Sequence, residues 1–377
     1  MNQDTLKKIF YAGFFSLIPT LLIWIPFLFR LPSFWHIPLP QQGLATIVAN
    51  YDGPLYLVAA KTLYNKELIS SSYQFPLPTE YYSAHFPLFP ILIKILGSMM
   101  NYPYAMLIVT LLSSFLAIYF FYKLISDYVT GENAIFLTFL FSIFPARWLI
   151  VRSVGSADPL FIASIIASLY FFRQKKYLWA GVWGALAQMT KSPAILLFIS
   201  YVIYLTIPFF KNKFENLKKA YPILLIPFSL LLVFGFYAVT QNDFFAYFHS
   251  GDNIHLFFPP FQIFNYSAPW VGTFWLEEII FIYLIGSIGV LRLLKQENYE
   301  LAVFTAVYFA SLIFVSHRDL MRYALPIVPF LIVSFSDVLI KKEFKWSLLL
   351  LIVPIYLFSL AFISQNVMPI SNWAPFI

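Results

Sequence analysis

Apolar runs of about 20 residues recur from one end of this chain to the other, the length a helix needs to cross a lipid bilayer. Nothing else in the sequence limits the fold as strongly. Of the 377 residues, 60% are hydrophobic and only 11% charged, whereas a soluble domain carries about 25% charged residues. A buried core alone does not use up so much apolar length. The 44 Phe, 25 Tyr and 9 Trp suit lipid contact and the aromatic belts at the two membrane surfaces. The sequence therefore reads as an all-α polytopic membrane protein. It has no cysteine, which excludes disulfides and thiolate metal sites. The net charge of +7 reports orientation in the membrane and gives no reason to expect nucleic acid as a partner. The run from Ile9 to Phe29 exceeds a signal-peptide core, and no small-residue cleavage site follows, so it reads as a retained first span.

Hydropathy places spans at approximately 8–29, 103–123, 133–150, 157–172, 177–190, 193–210, 220–240, 274–294, 299–316, 322–340 and 346–363, about 11 transmembrane helices in all. The piece 86–100 is short and bounded by prolines, and reads as a re-entrant or interfacial helix. With Lys7 and Lys8 in the cytoplasm, about fifteen of the 24 basic residues fall on that side, as the positive-inside rule expects. If 86–100 spanned instead, Arg173, Lys175 and Lys176 would face outward and the bias would collapse. On this map residues 1–363 form a single transmembrane domain. It has a large first extracytoplasmic loop at 30–102, a second at 241–273, and an extracytoplasmic tail at 364–377. A long connection where a short one would join two spans is usually functional.

Nine basic residues break the charge rule: Arg30, Lys61, Lys66, Lys94, Arg147, Arg152, Lys191, Arg318 and Arg322. Ionisable groups at membrane depth are costly and tend to line a functional cavity. The alternative is that they snorkel to headgroups or pair with Asp158 and Asp319.

Within the first loop, Tyr51-Asp52-Gly53-Pro54 would turn the chain into a helix with Asp52 at its N-cap. Asp52 is then either a cap or a carboxylate held at the membrane surface as a general base, the group glycosyl transfer needs to deprotonate an attacking hydroxyl. Glu80 and His85 flank Tyr81-Tyr82-Ser83-Ala84, and either is a candidate second polar anchor facing Asp52. Lys191, in Gln188-Met-Thr-Lys-Ser-Pro193, falls at a helix break of the kind tolerated where it lines a protein cavity. Its ammonium suits a lipid-linked phosphate, as do the guanidiniums of Arg152 and Arg322. The loop 241–273 sets Asp243, His249, Asp252 and His255 among Phe257, Phe258 and Tyr266, as a sugar-binding platform or as an interfacial cap. No cofactor is indicated. A divalent metal has no supporting ligand pattern, and no Gly-rich phosphate loop is present.

Four pieces in order resemble the GT-C class of integral-membrane glycosyltransferases, and within it the second mannosyltransferase of GPI-anchor synthesis (PIG-V-like) with its prokaryotic relatives. They are Tyr51-Asp52 with Tyr56, His85-Phe-Pro-Leu-Phe-Pro through Lys94, Ser156-Ala-Asp158-Pro through Lys191-Ser192, and Arg322-Tyr323-Ala-Leu-Pro. In organisation the likeness covers residues 1–340. It implies a polyprenyl-phosphate-linked sugar donor, mannose-like, and a lipid, glycan or protein acceptor. Asp52 would be the base in an inverting displacement, and Arg152, Lys191, Arg318 and Arg322 would bind the donor phosphate. Tyr51, Tyr56, Glu80, His85, Asp158 and Tyr323 would contact substrate, at the outer face of a prokaryotic plasma membrane. A lipid-linked glycan polymerase or ligase is the first alternative, although its large loop usually comes late in the chain. A transporter or flippase is the second, and no internal repeat supports it.

Overall fold

Two prolines shape the first helix, Gln3–Leu28. Pro19 and Pro26 lie inside it, and each deprives the carbonyl four residues back of its helical partner. Both carbonyls are met by distant side chains. Arg152 Nη2 donates to Phe15 O at 2.7 Å, and the Tyr356 hydroxyl donates to Leu22 O at 3.0 Å. The helix is thereby tied to the segment after Ala146–Val151 and to Lys342–Gln365, which are far away in sequence.

The computed structural model describes residues 3–73, 77–207, 218–251, 255–265, 267 and 277–377. Asp252 and Tyr266, and the basic residues Lys211 and Lys213, lie outside the described residues. Among the described residues the fold is all-α apart from one antiparallel ribbon, Ser33–Phe34 with Ile37–Pro38, in register Ser33↔Pro38 and Phe34↔Ile37. Among the described residues, four helices are long and apolar enough to cross a membrane: Gln3–Leu28, Tyr102–Ile125, Tyr221–Gln241 and Lys342–Gln365. Shorter apolar helices pack among them, including Gly131–Ile143, Ser192–Thr206 and Tyr299–Leu312. Large apolar side chains stand exposed along the outer faces, among them Leu231, Leu232 and Val239, then Ile280, Phe281 and Leu284, then Leu349 and Leu350. A water-facing surface rarely carries such stripes, and lipid solvates them. The chain is an integral membrane protein.

Two expected spans are interrupted. The 133–150 segment ends its first helix at Ile143 and restarts at Ala146, on either side of Pro145. The 322–340 segment is divided into Leu320–Ala324, Leu325–Ile327, Val328–Ser334 and Ser336–Leu339 around Pro326 and Pro329. Proline cannot donate to the helical ladder. Phe144 before Pro145 is extended, whereas Leu325 and Val328 before Pro326 and Pro329 stay helical and the chain only tightens into the 3-10 turn Leu325–Ile327. The 86–100 piece forms a helix of only 10 residues, Leu88–Gly97, about half the length of a span.

The connections gather at one end of the bundle. Asn50 Nδ2 donates to Ile363 O at 2.8 Å, and the Met368 amide to Ala49 O at 2.8 Å. Ser83 Oγ donates to Ala246 O at 2.8 Å, and the Ser316 amide to His255 O at 2.8 Å. Trp24 Nε1 reaches Ser153 O at 2.6 Å. The first connecting segment, the 151–157 turn, the described part of 241–273, the 316–322 turn and the C-terminal tail thus meet. The opposite end collects the basic residues, with Arg173 on Asp127, Lys345 on Asn133, and Arg292 on Asp337. Between the ends the core is aromatic, as in the stack of Phe172 on Tyr201 with centroids 3.9 Å apart and planes 7° from parallel.

Candidate active site

Gly53 and Pro54 open the helix Gly53–Thr62, and Asp52 is its N-cap residue. The backbone alone closes the first turn, the Tyr56 amide donating to Asp52 O at 3.0 Å. The Asp52 side chain makes no capping hydrogen bond. Its carboxylate turns instead toward Arg322, Nη2 at 3.4 Å from Oδ2, and toward His85, Nε2 at 3.8 Å. The position needs glycine next to it, because a Cβ on Gly53 would collide with the carbonyl oxygen of Val48. That close approach of two backbones sets where Asp52 sits. Burial pushes the Asp52 carboxyl up, but His85 and then the Arg322 guanidinium more than offset this and hold it below the usual carboxylate range.

Asp158 begins the helix Asp158–Arg173, where the helix dipole favours negative charge. Ser156 Oγ donates to Asp158 Oδ2 at 2.9 Å, and Arg322 Nε donates to the same oxygen at 2.9 Å. The Lys191 ammonium pairs with the other oxygen. Lys191 sits at the break after Tyr177–Thr190, in extended backbone at φ −151° and ψ 141°. Arg322 therefore joins two carboxylates brought together from distant points in the sequence.

Arg322 is held from behind. Its Cζ lies 4.2 Å from the centre of the Tyr51 ring, a cation–π contact. The Tyr51 hydroxyl accepts from Arg147 Nη1 at 3.3 Å and donates to Asp319 Oδ2 at 3.4 Å. Arg147 pairs with Asp319 at 3.0 Å and stacks 3.9 Å from the Phe362 ring centre. Tyr51 itself has φ +48°, a left-handed conformation unusual for an aromatic residue. Strain of this kind persists only where surrounding contacts enforce it, and here Arg147, Asp319 and Arg322 do so.

Asp52, Asp158, Lys191 and Arg322 border a cavity of about 250 Å³. Asp52, Tyr56, His85, Asp158, Lys191, Arg322 and Tyr323 line it. Four site residues singled out in the sequence do not line it: Tyr51, expected to contact substrate, stands behind Arg322 instead, and Arg152, Glu80 and Arg318 are placed elsewhere. Arg152 is fully buried and donates to Ser142 O, Ser16 O, Phe15 O and Thr20 Oγ1. The carbonyls left open by Pro19 and by the end of Gly131–Ile143 occupy its guanidinium, so it is not offered to a phosphate in the cavity. Glu80 pairs with Lys66 at 3.1 Å at the surface. Arg318 is exposed on its turn and does not line the cavity. Asp243 and His249 bind each other at 2.7 Å, also away from the cavity lining.

The cavity adds residues that sequence reasoning passed over: Tyr81, Tyr247, Tyr308, Ser192 and His317, the last beside His255. Ser192 and Tyr247 share a hydrogen bond of 2.7 Å. For His317 a signal existed, because it sits two residues before Asp319 and five before Arg322 in a turn dense with ionisable groups. Among the described residues no group of three or more His, Asp or Glu side chains converges to hold a metal ion.

No family model matches the chain. No curated protein matches it by sequence. Solved structures do match in fold. ArnT from Cupriavidus metallidurans bound to undecaprenyl phosphate is 11% identical with a TM-score of 0.58, over 90% of this chain and 62% of that one. The apo Archaeoglobus fulgidus oligosaccharyltransferase is 15% identical with a TM-score of 0.57, over 98% of this chain and 57% of that one. The same oligosaccharyltransferase tethered with an acceptor peptide containing the NVT sequon gives 14% and 0.56, over 99% and 56%. Both proteins are GT-C glycosyltransferases. The chain has the GT-C fold. It spans about three-fifths of the length of these GT-C structures. At such identities the likeness is one of fold, and what the cavity does has to be argued from its own residues.

Proposed function

We propose that this chain transfers a sugar from a polyprenyl-phosphate donor to a hydroxyl-bearing or amide-bearing acceptor, by a single displacement with Asp52 as base. The observation that carries this reading is the Asp52 carboxylate, unused as a helix cap and facing the same cavity as Lys191 and Arg322. One cavity then offers a proton acceptor and two cations at the mouth of a membrane bundle. Those are the groups required when an acceptor attacks an anomeric carbon bonded to phosphate.

In this reading the acceptor oxygen or nitrogen forms the new bond to the anomeric carbon. The bond from that carbon to the phosphate oxygen breaks, and its electron pair leaves with the polyprenyl phosphate. The proton passes to Asp52. Lys191 and Arg322 neutralise the charge that grows on the leaving phosphate. Asp158 and Asp52 share Arg322. A bound phosphate competes for that guanidinium, and loosening its hold on Asp52 raises the basicity of the carboxylate at the moment it is needed.

The finer parts of the reading follow from the charge map and the short motifs. The sugar is mannose-like and the acceptor a lipid, glycan or protein. The 1–363 domain crosses the membrane with about 11 spans. The 30–102 and 241–273 loops and the 364–377 tail lie outside, at a prokaryotic plasma membrane with the cavity facing outward. Tyr56, His85 and Tyr323 contact substrate from the cavity wall. Incubation of purified protein with radiolabelled polyprenyl-phosphate mannose and an acceptor extract tests the reaction, and the anomeric configuration of the product tests the mechanism. Inversion is expected, and a product that retains the donor configuration contradicts a single displacement.

A further inference from the structure

His255 and His317 lie side by side in the cavity wall, ring centroids 4.8 Å apart, with the Tyr323 ring edge-on to both at 6.0 and 5.2 Å. They are held by backbone rather than by loose loops. The Ser316 amide donates to His255 O at 2.8 Å, the Phe257 amide donates to Phe314 O at 2.8 Å, and Leu256 bridges Val315. His317 also has a defined tautomer. Its Nδ1 accepts the Asp319 amide at 3.0 Å, so the neutral ring carries its proton on Nε2.

The surroundings keep it neutral. Burial first, then the charges of His255, Arg322 and Arg318, push the His317 pKa down to about 4. A neutral imidazole beside Arg322 is a poor phosphate ligand, since Lys191 and Arg322 already supply positive charge there. It is well suited to a neutral hydroxyl group, for which it offers directional hydrogen bonds without charge.

Resting on the glycosyl-transfer reading above, we propose that His317, with His255 and Tyr323, is the subsite that reads the hydroxyl groups of the transferred sugar, and so determines which glycosylated carrier is accepted. Lys191 and Arg322 bind the phosphate common to every carrier, and the imidazole pair distinguishes the sugar. His317 is then a specificity-determining residue.

Two substitutions separate this role from a structural one. In His317→Asn the side-chain oxygen still accepts the amide two residues on, as asparagine does in turns, but the Nε2–H donor is lost. In His317→Gln the longer amide restores a donor near the Nε2 position. The binding of undecaprenyl phosphate and of polyprenyl-phosphate mannose or glucose is measured on the purified full chain, alongside transfer. His317→Asn is expected to bind the glycosylated carrier about tenfold more weakly, the loss of one hydrogen bond, with binding of the bare carrier unchanged. His317→Gln is expected to recover part of the difference. An equal loss for bare and glycosylated carriers, or no loss for either, overturns the proposal while wild-type transfer leaves the glycosyltransferase reading standing. Absence of wild-type transfer from both donors overturns that reading, and the proposal with it.

Discussion

Arg322 and Asp158 lie 164 positions apart in the sequence and meet at 2.9 Å, Nε to Oδ2. Lys191 binds the second oxygen of the same carboxylate, so one acid holds two cations at the cavity floor. Those cations are the groups that would receive a phosphate. On the glycosyl-transfer reading, that acid holds both phosphate-binding cations in position.

Removing that acid should damage the fold before it damages chemistry. Asp158→Asn leaves Lys191 and Arg322 close together and short of a counter-charge. The loss of one partner from a buried pair costs about 3–5 kcal/mol. With the Asp158 side chain 6% exposed and that of Arg322 16% exposed, solvent relieves little of this. Thermal melting of the detergent-solubilised protein should show a clear drop, partly recovered by adding Lys191→Met. A variant that melts with the wild type would contradict the pairing.

On the glycosyl-transfer reading, Lys191→Met removes one phosphate ligand and relaxes the competition for Asp158. Binding of bare undecaprenyl phosphate should weaken by about tenfold or more, the loss of a charge-assisted contact of about 1.5–3 kcal/mol. A titration of the purified protein with that carrier measures it. Unchanged affinity would place the phosphate elsewhere.

Arg152 behaves differently. Its guanidinium spans carbonyls on Gln3–Leu28 and Gly131–Ile143, a planar fork that a lysine ammonium cannot reproduce. Arg152→Lys should lower stability by about 3 kcal/mol, yet the folded fraction should bind donor as the wild type does. A weakened donor affinity at full stability would return Arg152 to the phosphate site.

The pH dependence of stability reports on His317. Its folded pKa of about 4 lies below the ordinary histidine value of 6.5. As pH falls from 6.5, the unfolded chain takes up a proton that the folded chain refuses until about pH 4. Stability therefore falls with pH across that window and levels off below it. His317→Asn should flatten this slope in melting temperatures recorded from pH 4 to 7, and a slope identical to wild type would show that other groups produce it.

Much of the cavity was legible because its residues sit at places where membrane physics makes them conspicuous. Asp52 beside Gly-Pro, Lys191 at a helix break, and Arg322 near Asp319 all break a pattern of apolar spans. The fate of Arg152 was not legible, because a cation at a helix end looks the same whether it meets a phosphate or a carbonyl opened by Pro19. That choice depends on the packing of Gln3–Leu28 against the 146–152 segment. Glu80 was equally ambiguous until the fold brought Lys66 beside it. The pairing of His317 with His255 was hidden for another reason: it comes from a strand-like pairing of 255–257 with 314–316 that no local periodicity announces. Continuous helices were expected across Pro145 and Pro326, where missing backbone donors break them.

The central claim is that Asp52 is a base and not a cap, and Asp52→Asn tests it most directly. Asparagine keeps the size, the helix start does not use the carboxylate, and Arg322 retains Asp158, so the variant should fold and melt like the wild type. Transfer of radiolabelled sugar from the polyprenyl-phosphate donor should fall at least about 100-fold, the contribution expected of a general base. Wild-type transfer by a well-folded Asp52→Asn protein would contradict the account.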